Sequence, residues 1–195
     1  MPKNISLSSH EELRLVALAE FARSGYTGTS LQRIAELAGL SKSSVLYHFA
    51  SKEALLEAAI GPAVESAAFV LGGIGTALDS VEGRARFVES FSDFLLAHRL
   101  EVHMFINQGT SLQDVPVIER ANAIIAGLAA HFQTESTTRE DKMRFAIALG
   151  GAAFMLASEG NFYDESPGTP EETRAGLIVV LSDLLAPVRV RSTIS

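Results

Sequence analysis

The sequence predicts an all-α protein, and three observations carry that prediction. Apolar residues recur at helical spacing, capping residues and prolines mark successive helix starts, and no strand-like alternation of useful length occurs. Hydrophobic residues make up 47% of the 195 positions, so the chain is long enough to bury a core. We expect a three-helix domain over residues 1–60 and a second helical domain over residues 61–195.

The best-marked element is a pair of short helices within residues 30–49. Thr29, with Gln32 three residues later, has the pattern of a capping box and predicts where the first of them begins. Gly39 is expected to end that helix, because glycine adopts the left-handed conformation at little steric cost. The apolar face of the first helix is Leu31, Ile34, Ala35 and Ala38.

Ser41 is predicted to cap the second of these helices, which buries Val45, Leu46 and Phe49. Together the pair has the pattern of a helix-turn-helix, in which the second helix is the candidate DNA reader. The alternative is a structural helical hairpin with a polar solvent face.

The opposite side of the second helix carries short hydrogen-bonding side chains, one phenol and no acid. A face of this kind can enter a major groove, where hydroxyl groups bond base edges or phosphates. Lys52 lies in the first turn of the next helix, and a helix N-terminus with an ammonium group favours phosphate. The predicted DNA-binding residues are Ser30, Arg33, Ser41, Lys42, Ser43, Ser44, Tyr47, His48 and Lys52.

The segment GLSKSSVLYHFASKEALL, preceded by FARSGYTGTSLQRIAELA, resembles the DNA-binding domain of the tetracycline-repressor (TetR) family. The resemblance covers about the first third of the chain and implies a transcriptional regulator. Two positions depart from the family pattern: Leu46 stands where a tyrosine is usual, and Ala50 where a proline or similar turn residue is usual. Tyr47 is the neighbouring candidate for the contact of that tyrosine. The matching residues are Phe21, Gly25, Tyr26, Thr29, Ser30, Ala38, Gly39, Tyr47, Phe49, Ser51, Lys52, Glu53 and Leu55.

The net charge of −7 is unevenly divided along the chain. Through Ala58, three lysines and three arginines balance six glutamates, so all the excess acid lies in the remainder. An N-terminal domain with no net charge, followed by an acidic domain, can still present four basic side chains to a DNA duplex. They are Arg23, Arg33, Lys42 and Lys52. The weak positive charge predicts a modest number of phosphate contacts.

Several classes of protein are disfavoured by what the sequence lacks. With no cysteine, disulfides and thiolate chemistry are excluded, which is compatible with a reducing cytosol. The start MPKNISLSS has no apolar run of signal-peptide length. No stretch has the roughly 18 uninterrupted apolar residues of a membrane span. We therefore expect a cytoplasmic protein with no membrane partner.

Further helix boundaries follow from capping signals. Ser9, with Glu12, is predicted to open the first helix, and Gly25 to end it. The fourth helix is expected to start at Ser51 and to kink or restart at Gly61 and Pro62, where we place the domain boundary.

The second domain is predicted to be helical throughout. Asp79 with Glu82, Thr137 with Glu140, and Thr169 and Pro170 with Glu172 each predict a helix start. Additional helical segments are expected over residues 62–74, 101–108 and 115–133, with loose ends before residue 9, where Lys3 lies, and over residues 188–195.

The last two long helices indicate a homodimer. Residues 146–157 carry no charge on any side, and residues 177–185 are nearly as apolar. A helix that is apolar all round must be buried all round, and two such helices are hard to enclose in one small domain. A two-fold four-helix interface, which the family resemblance also implies, is preferred to a tightly packed monomer core. Such a dimer would read a pseudo-palindromic operator on double-stranded DNA.

The family resemblance also implies a cavity for a small, usually apolar effector. Eleven phenylalanines supply plausible walls, although each one taken alone fits core packing better than ligand contact. The predicted ligand-binding residues are Phe69, Phe91, Phe94, His98, His103, Met104, Phe105, Asn107 and Phe145.

Enzyme chemistry has little support in the sequence. His98, Glu101 and His103 lie close together, but their spacing is not that of a metal site and no second ligand cluster converges. The glycines near residues 71–75 lack the preceding strand of a dinucleotide loop. We expect neither a metal, a cofactor nor catalysis.

The favoured function is a dimeric repressor that a small, largely apolar ligand releases from its operator. Two alternatives stay open at this point: an all-helical enzyme or carrier with a structural hairpin, and a DNA-binding protein that responds to no ligand.

Overall fold

The computed structural model describes residues 9–131, 138–158 and 168–186, and the regular structure in these ranges is entirely helical. The predicted all-α fold is therefore confirmed. The helices are α1 (Ser9–Ser24), α2 (Leu31–Leu37), α3 (Lys42–His48), α4 (Lys52–Gly72), α5 (Ile74–Ala77), α6 (Val81–Ala97), α7 (Arg99–Gln108), α8 (Pro116–His131), α9 (Arg139–Ala157) and α10 (Pro170–Leu185), with a short 3-10 turn at Gly109–Leu112.

The start of α2 differs from the prediction by one residue. Ser30, not Thr29, is the N-cap: its hydroxyl accepts a hydrogen bond from the Arg33 amide at 3.1 Å. Thr29 is buried, and its own hydroxyl donates to the Gly25 carbonyl at 2.7 Å. Gly25 ends α1 with a φ of +79°, a conformation that favours glycine. Thr29 therefore holds the α1–α2 turn closed and does not begin the helix.

The α2–α3 pair forms as the sequence indicates. Gly39 has a φ of +66°, and Ser41 caps α3 by accepting from the Ser44 amide at 3.1 Å. Val45 is fully buried, as predicted. The predicted burial of Leu46 is wrong: 43% of this residue stays exposed, because it lies at the edge of the face that Val45 turns to the core.

Of the two outcomes predicted at Pro62, a kink or a restart, the restart does not occur: α4 continues through Pro62 as one helix. Proline has no backbone N–H, so the carbonyl of Ala58 receives no helical hydrogen bond from position 62. The helix tolerates this loss because both of its halves are packed: Leu55 and Leu56 are fully buried, and Ala63 is nearly so. The domain boundary that we expect at residues 60 and 61 thus falls inside one unbroken helix.

Among the described helices, α4 is the one that is long and apolar enough to cross a membrane, judged by length and composition alone. Its apolar composition has another role in the structure. Leu55, Leu56, Ala59 and Ile60 belong to the buried core that α4 shares with α1.

Two further helix starts were misplaced by one residue. Ser80, not Asp79, caps α6 by accepting from the Gly83 amide at 2.9 Å. Thr138 caps α9 through the Asp141 amide; Thr137, which the sequence favours, lies outside the described residues. The capping box of Thr169 and Glu172 at α10 is present as predicted. The predicted loose ends before residue 9 and after residue 187 also lie outside the described ranges.

Two apolar cores organise the chain. The first joins α1–α3 and the start of α4 to residues of the later helices, namely Met104, Leu112, Val117 and Ile118. The second joins α6, α9 and α10, with Phe87, Phe91 and Phe145 among its members. Helices α4 and α7 pack in the first core and also contribute residues to the edge of the second. These two helices therefore connect the two cores.

Candidate nucleic-acid interface and effector cavity

The outer face of α3 presents the side chains that the sequence assigns to DNA. Lys42 and Ser43 are exposed, and Tyr47 is 86% exposed. Its contacts are aromatic: the ring packs edge-on against His48 with the centroids 5.3 Å apart. A phenol held this far out on the second helix of a helix-turn-helix is free to reach a phosphate or a base edge.

Ser44 and His48 are less available than the sequence suggests. The Ser44 hydroxyl lies 2.9 Å from the Ser41 hydroxyl, so it shares the N-cap of α3. His48 is half-buried, with its ring 6.1 Å from that of His10 in α1. Either residue can still offer one polar atom outward, but each also has a structural partner.

Arg33 is tied to an acid behind the reading face. Its guanidinium lies 3.7 Å from Glu20, whose side chain is only 6% exposed. Arg23 pairs with the same carboxylate at 2.7 Å, and that hydrogen bond is the main reason why the pKa of Glu20 is lowered. Two arginines on one buried carboxylate leave a net positive charge at this edge of the domain. Ser30 is exposed and is occupied as the α2 cap.

Lys52 stands at the start of α4, close to the end of the reader. Its ammonium lies 4.2 Å above the Tyr26 ring, and burial lowers its pKa below the ordinary value. Ser51 caps the helix by accepting from the Ala54 amide at 3.0 Å. The charge is therefore positioned by an aromatic face beside a helix N-terminus, which suits a phosphate oxygen.

A cavity of about 730 Å³ lies between α4, α6, α7, α8 and α9. Four of the nine residues predicted to bind ligand line it: Phe91, Phe94, Phe105 and Phe145. Most of the remaining wall is aliphatic, with small side chains such as Ala67 and Ala153 that leave the space open. Its size and apolar lining are those of sites for small organic molecules.

The other five predicted ligand residues do not line the cavity. Phe69 is 86% exposed on the outer side of α4, and Met104 is buried in the first core. His103 donates from Nδ1 to the Ala157 carbonyl at 2.5 Å, and Asn107 donates to the His103 carbonyl at 2.9 Å. His98 joins α6 to α7 and lies 3.5 Å from Glu101. Aromatic or polar identity did not reveal which side of a helix each residue occupies.

Two ionisable residues outside the predicted ligand-binding set also line the cavity. They are Glu101 of α7 and Lys142 of α9. The aliphatic wall of α8, including Ile124 and Leu128, was also missed, because its helical spacing is the same as that of a core face.

Polar contacts connect the helix-turn-helix to the cavity helices. The Gln108 side chain, at the end of α7, donates to the Phe21 carbonyl at 2.8 Å and accepts from the Tyr26 amide at 2.7 Å. Arg120 of α8 pairs with Glu57 of α4. Arg14 of α1 donates weakly to the Ala59 carbonyl at 3.4 Å. The cavity wall and the reader are therefore joined at several points besides the chain itself.

Helices α9 and α10 carry exposed apolar side chains. Four aliphatic or aromatic residues on them are more than half exposed: Ile147 at 59%, Phe154 at 51%, Val179 at 60% and Val180 at 57%. Gly151 is exposed among them, and a methyl group built there would meet no atom within 4 Å. Phe154 also lines the cavity. Exposed apolar residues on two neighbouring helices make this side of the protein a candidate for contact with another molecule.

The part of the chain that the structure describes contains no group of three or more histidines, cysteines or acids placed to hold a metal. His98 and Glu101 lie 3.5 Å apart, whereas His103 is turned to the Ala157 carbonyl.

Comparison with known proteins places the helix-turn-helix in a family. Residues 14–59 match the model of bacterial regulatory proteins of the tetR family. The HTH-type transcriptional regulator RutR of Escherichia coli K12 is 59% identical over 39 residues, which are 20% of this chain and 18% of RutR. That match spans less than a fifth of the relative and concerns its matched segment alone.

A longer match reaches almost the whole chain. The HTH-type transcriptional regulatory protein RaaS of Mycobacterium tuberculosis H37Rv is 26% identical over 188 residues, covering 95% of this chain and 85% of RaaS.

Solved structures share the fold. The ketosteroid transcriptional regulator KstR2 of M. tuberculosis superposes with a TM-score of 0.63 at 16% identity, covering 96% of this chain and 98% of that one. A transcriptional regulator of Rhodococcus sp. Rha1 superposes with a TM-score of 0.56 at 22% identity, covering 95% of this chain and 100% of that one. The matched N-terminal domain and the near full-length relative support a TetR-family transcriptional regulator, and the solved structures share its all-α fold.

Proposed function

We propose that this protein is a homodimeric repressor that leaves its operator when a small, largely apolar molecule fills the cavity. The observation that carries the proposal is the position of α4. Its first turn holds Lys52 beside the reader, and its second half lines the cavity through Ala63, Val64, Ala67 and Leu71. A ligand in the cavity therefore touches the same helix that orients the DNA-binding end.

Dimerisation is supported by the exposed apolar residues of α9 and α10. A two-fold contact brings the same patch of each subunit together, so one self-complementary apolar face is sufficient. Gly151 allows a second helix to approach closely, because it has no side chain and the space beside it is open. Two copies of the reader then address two half-sites about one DNA turn apart, roughly 34–36 Å.

The open cavity favours a ligand-responsive regulator over one that acts without a ligand. Among the described residues, its lining has only two ionisable side chains and no cluster of metal ligands, which favours binding over catalysis. An effector shifts the equilibrium only if it prefers the state that fits DNA poorly. A tenfold loss of operator affinity requires about 1.4 kcal/mol of such preference.

Pro62 gives α4 a place to bend between the two sites. The helix lacks one backbone hydrogen bond there, and Gly61, which precedes it, adds no side chain to resist bending. We propose that a ligand between α4 and the Phe91 and Phe94 face of α6 changes the bend of α4. That change alters the spacing of the two readers.

The first prediction concerns the reader. Operator duplexes are selected from random DNA and bound in mobility shifts at several salt concentrations. Lys52→Ala should weaken operator and random DNA nearly equally and reduce the salt slope by about one, because one phosphate contact is lost. Ser44→Ala should weaken the operator more than random DNA.

Tyr47→Ala should also weaken operator binding while leaving thermal stability unchanged, since the side chain is 86% exposed. Phe69→Ala is the matched control: it is equally exposed but lies on α4, remote from the reader, and should bind as the wild type does. Unchanged operator affinity in both Tyr47→Ala and Lys52→Ala would refute the assignment.

The second prediction concerns assembly. Gly151→Glu should convert the dimer to a monomer, because it places an unpaired charge in the proposed interface. Glutamate is a better helix former than glycine and the site has open space, so the monomer itself should stay folded. Gly127→Glu is the matched control on α8, where a side chain also meets no atom within 4 Å.

Light scattering and circular dichroism measure mass and helicity for both variants. Selection with the wild type should yield two-fold symmetric operators, and Gly151→Glu should lose affinity for them. A wild type that is monomeric at the concentrations used for DNA binding contradicts the proposal.

The third prediction replaces the unidentified effector with a side chain. Ala67 of α4 lines the cavity, whereas Ala68, the next residue, is exposed outside it. Ala67→Phe should lower operator affinity by about tenfold, since it fills the space between α4 and α6. Ala68→Phe should not.

Adding Pro62→Ala to Ala67→Phe should restore part of the affinity, because the new N–H can complete the helix and resist the bend. If Ala67→Phe folds and binds the operator as tightly as the wild type, occupation of the cavity does not control DNA binding.

A further inference from the structure

The cavity contains one acid whose surroundings are unusual. Glu101 lines the apolar space, and its side chain is only 12% exposed. An ionised carboxylate removed from water needs a counter-charge or several hydrogen bonds to offset the loss of hydration. The physical question is which group supplies them.

The protein supplies little of that counter-charge. Among the described residues, the ion-pair contact of Glu101 within 4 Å is with His98, at 3.5 Å. This is longer than the 2.7–2.9 Å or so of a charge-assisted hydrogen bond. Arg14 is near enough to be influenced by Glu101, but its guanidinium is engaged by Glu11 at 2.7 and 3.1 Å. Glu101 therefore keeps free acceptor positions on a side chain that lines the cavity.

Lys142, the other ionisable lining residue, is in a different situation. It lies in the first turn of α9 and is partly exposed. A lysine has a flexible four-carbon stem that can carry its ammonium to water. It therefore needs no partner inside the cavity, whereas the short side chain of Glu101 has no comparable way out.

The lining of the cavity runs along most of α9, from Lys142 to Phe154. Two residues before Glu101 in α7, Arg99 donates to the Leu156 carbonyl near the end of α9, whereas Lys142 is near the beginning of α9. Fourteen residues of helix separate positions 142 and 156, about 21 Å along the axis. Between the ends the wall is aliphatic and aromatic, so the space suits an elongated molecule.

We infer that the effector is an elongated, mostly apolar molecule carrying one cationic group, such as a protonated amine, that pairs with Glu101. This inference rests on the proposed function, in which the cavity is the effector site. The apolar body fills the space along α9, and the cation takes the acceptor positions that His98 leaves open.

The test uses three probes with the same alkyl chain: dodecylammonium, 1-dodecanol and dodecanoate, each below its micellar concentration. Calorimetry on the wild type should give at least about tenfold tighter binding for dodecylammonium than for 1-dodecanol. Glu101→Gln should remove that advantage and leave 1-dodecanol binding unchanged, because it keeps the shape and removes the charge.

Glu119→Gln is the matched control for non-specific attraction to an acidic protein. It removes the same charge from an exposed position of α8 outside the cavity, and should leave all three affinities unchanged. Lys142→Met should not weaken dodecylammonium binding.

Several results would overturn the inference. One is equal affinity of the wild type for dodecylammonium and 1-dodecanol. Another is that dodecanoate binds most tightly and that Lys142→Met abolishes its binding. The third is that no probe binds. The comparison within the wild type does not depend on a variant folding. Mobility shifts without probe report DNA binding independently, so failure of the ligand class and failure of the regulator assignment are distinguishable.

Discussion

The rest of the structure depends on one constraint: the single helix α4 belongs both to the helix-turn-helix domain and to the wall of the cavity. The first half of α4 is buried against α1, with Leu55, Leu56 and Ala59 fully enclosed. Its second half borders the cavity. Because packed helices move as units rather than deform continuously, any change in how the second half rests against its neighbours must be taken up at the reader or at Pro62.

The neighbours of α4 define what kind of change is possible. Gln108 fastens α7 to the α1–α2 corner through the Phe21 carbonyl and the Tyr26 amide. Arg120 and Glu57 join α8 to α4 on the surface, where an ion pair contributes little to stability and is easily exchanged for water. Val117 and Ile118 of α8 are also buried in the first core with α4. The reader is thus held from both α7 and α8.

Sequence reasoning recovered the fold because caps, glycines and apolar spacing are local signals. Gly25, Gly39 and Ser41 each act where the chain pattern places them. The errors at caps, Thr29 for Ser30 and Asp79 for Ser80, arise because neighbouring residues with equivalent acceptors differ only in which backbone amide they meet. That choice depends on the tertiary turn, as the bond from Thr29 to Gly25 illustrates.

The positions of the candidate site residues could be predicted only in part, for a related reason. A reading face lies on one short helix, so the position of Val45 fixes where Tyr47 points. The cavity is built from five helices, and its lining depends on how each is rotated about its axis. Phe69 and Phe94 look alike in sequence, yet one is outside the fold and the other lines the cavity. Glu101 becomes informative only when its apolar surroundings are seen.

The central claim is that occupation of the cavity, acting through α4, sets the distance between two readers in a dimer. The absence of cysteine allows a single spin label to be placed at Leu46→Cys, on the exposed edge of α3, and pulsed dipolar spectroscopy then measures the distance between the subunits. We predict a narrow distribution near one DNA turn, roughly 34–36 Å, on operator DNA. In the free protein, Ala67→Phe should shift that distribution and Ala68→Phe should not. No dipolar coupling between subunits, or identical distributions in the two variants, would contradict the account.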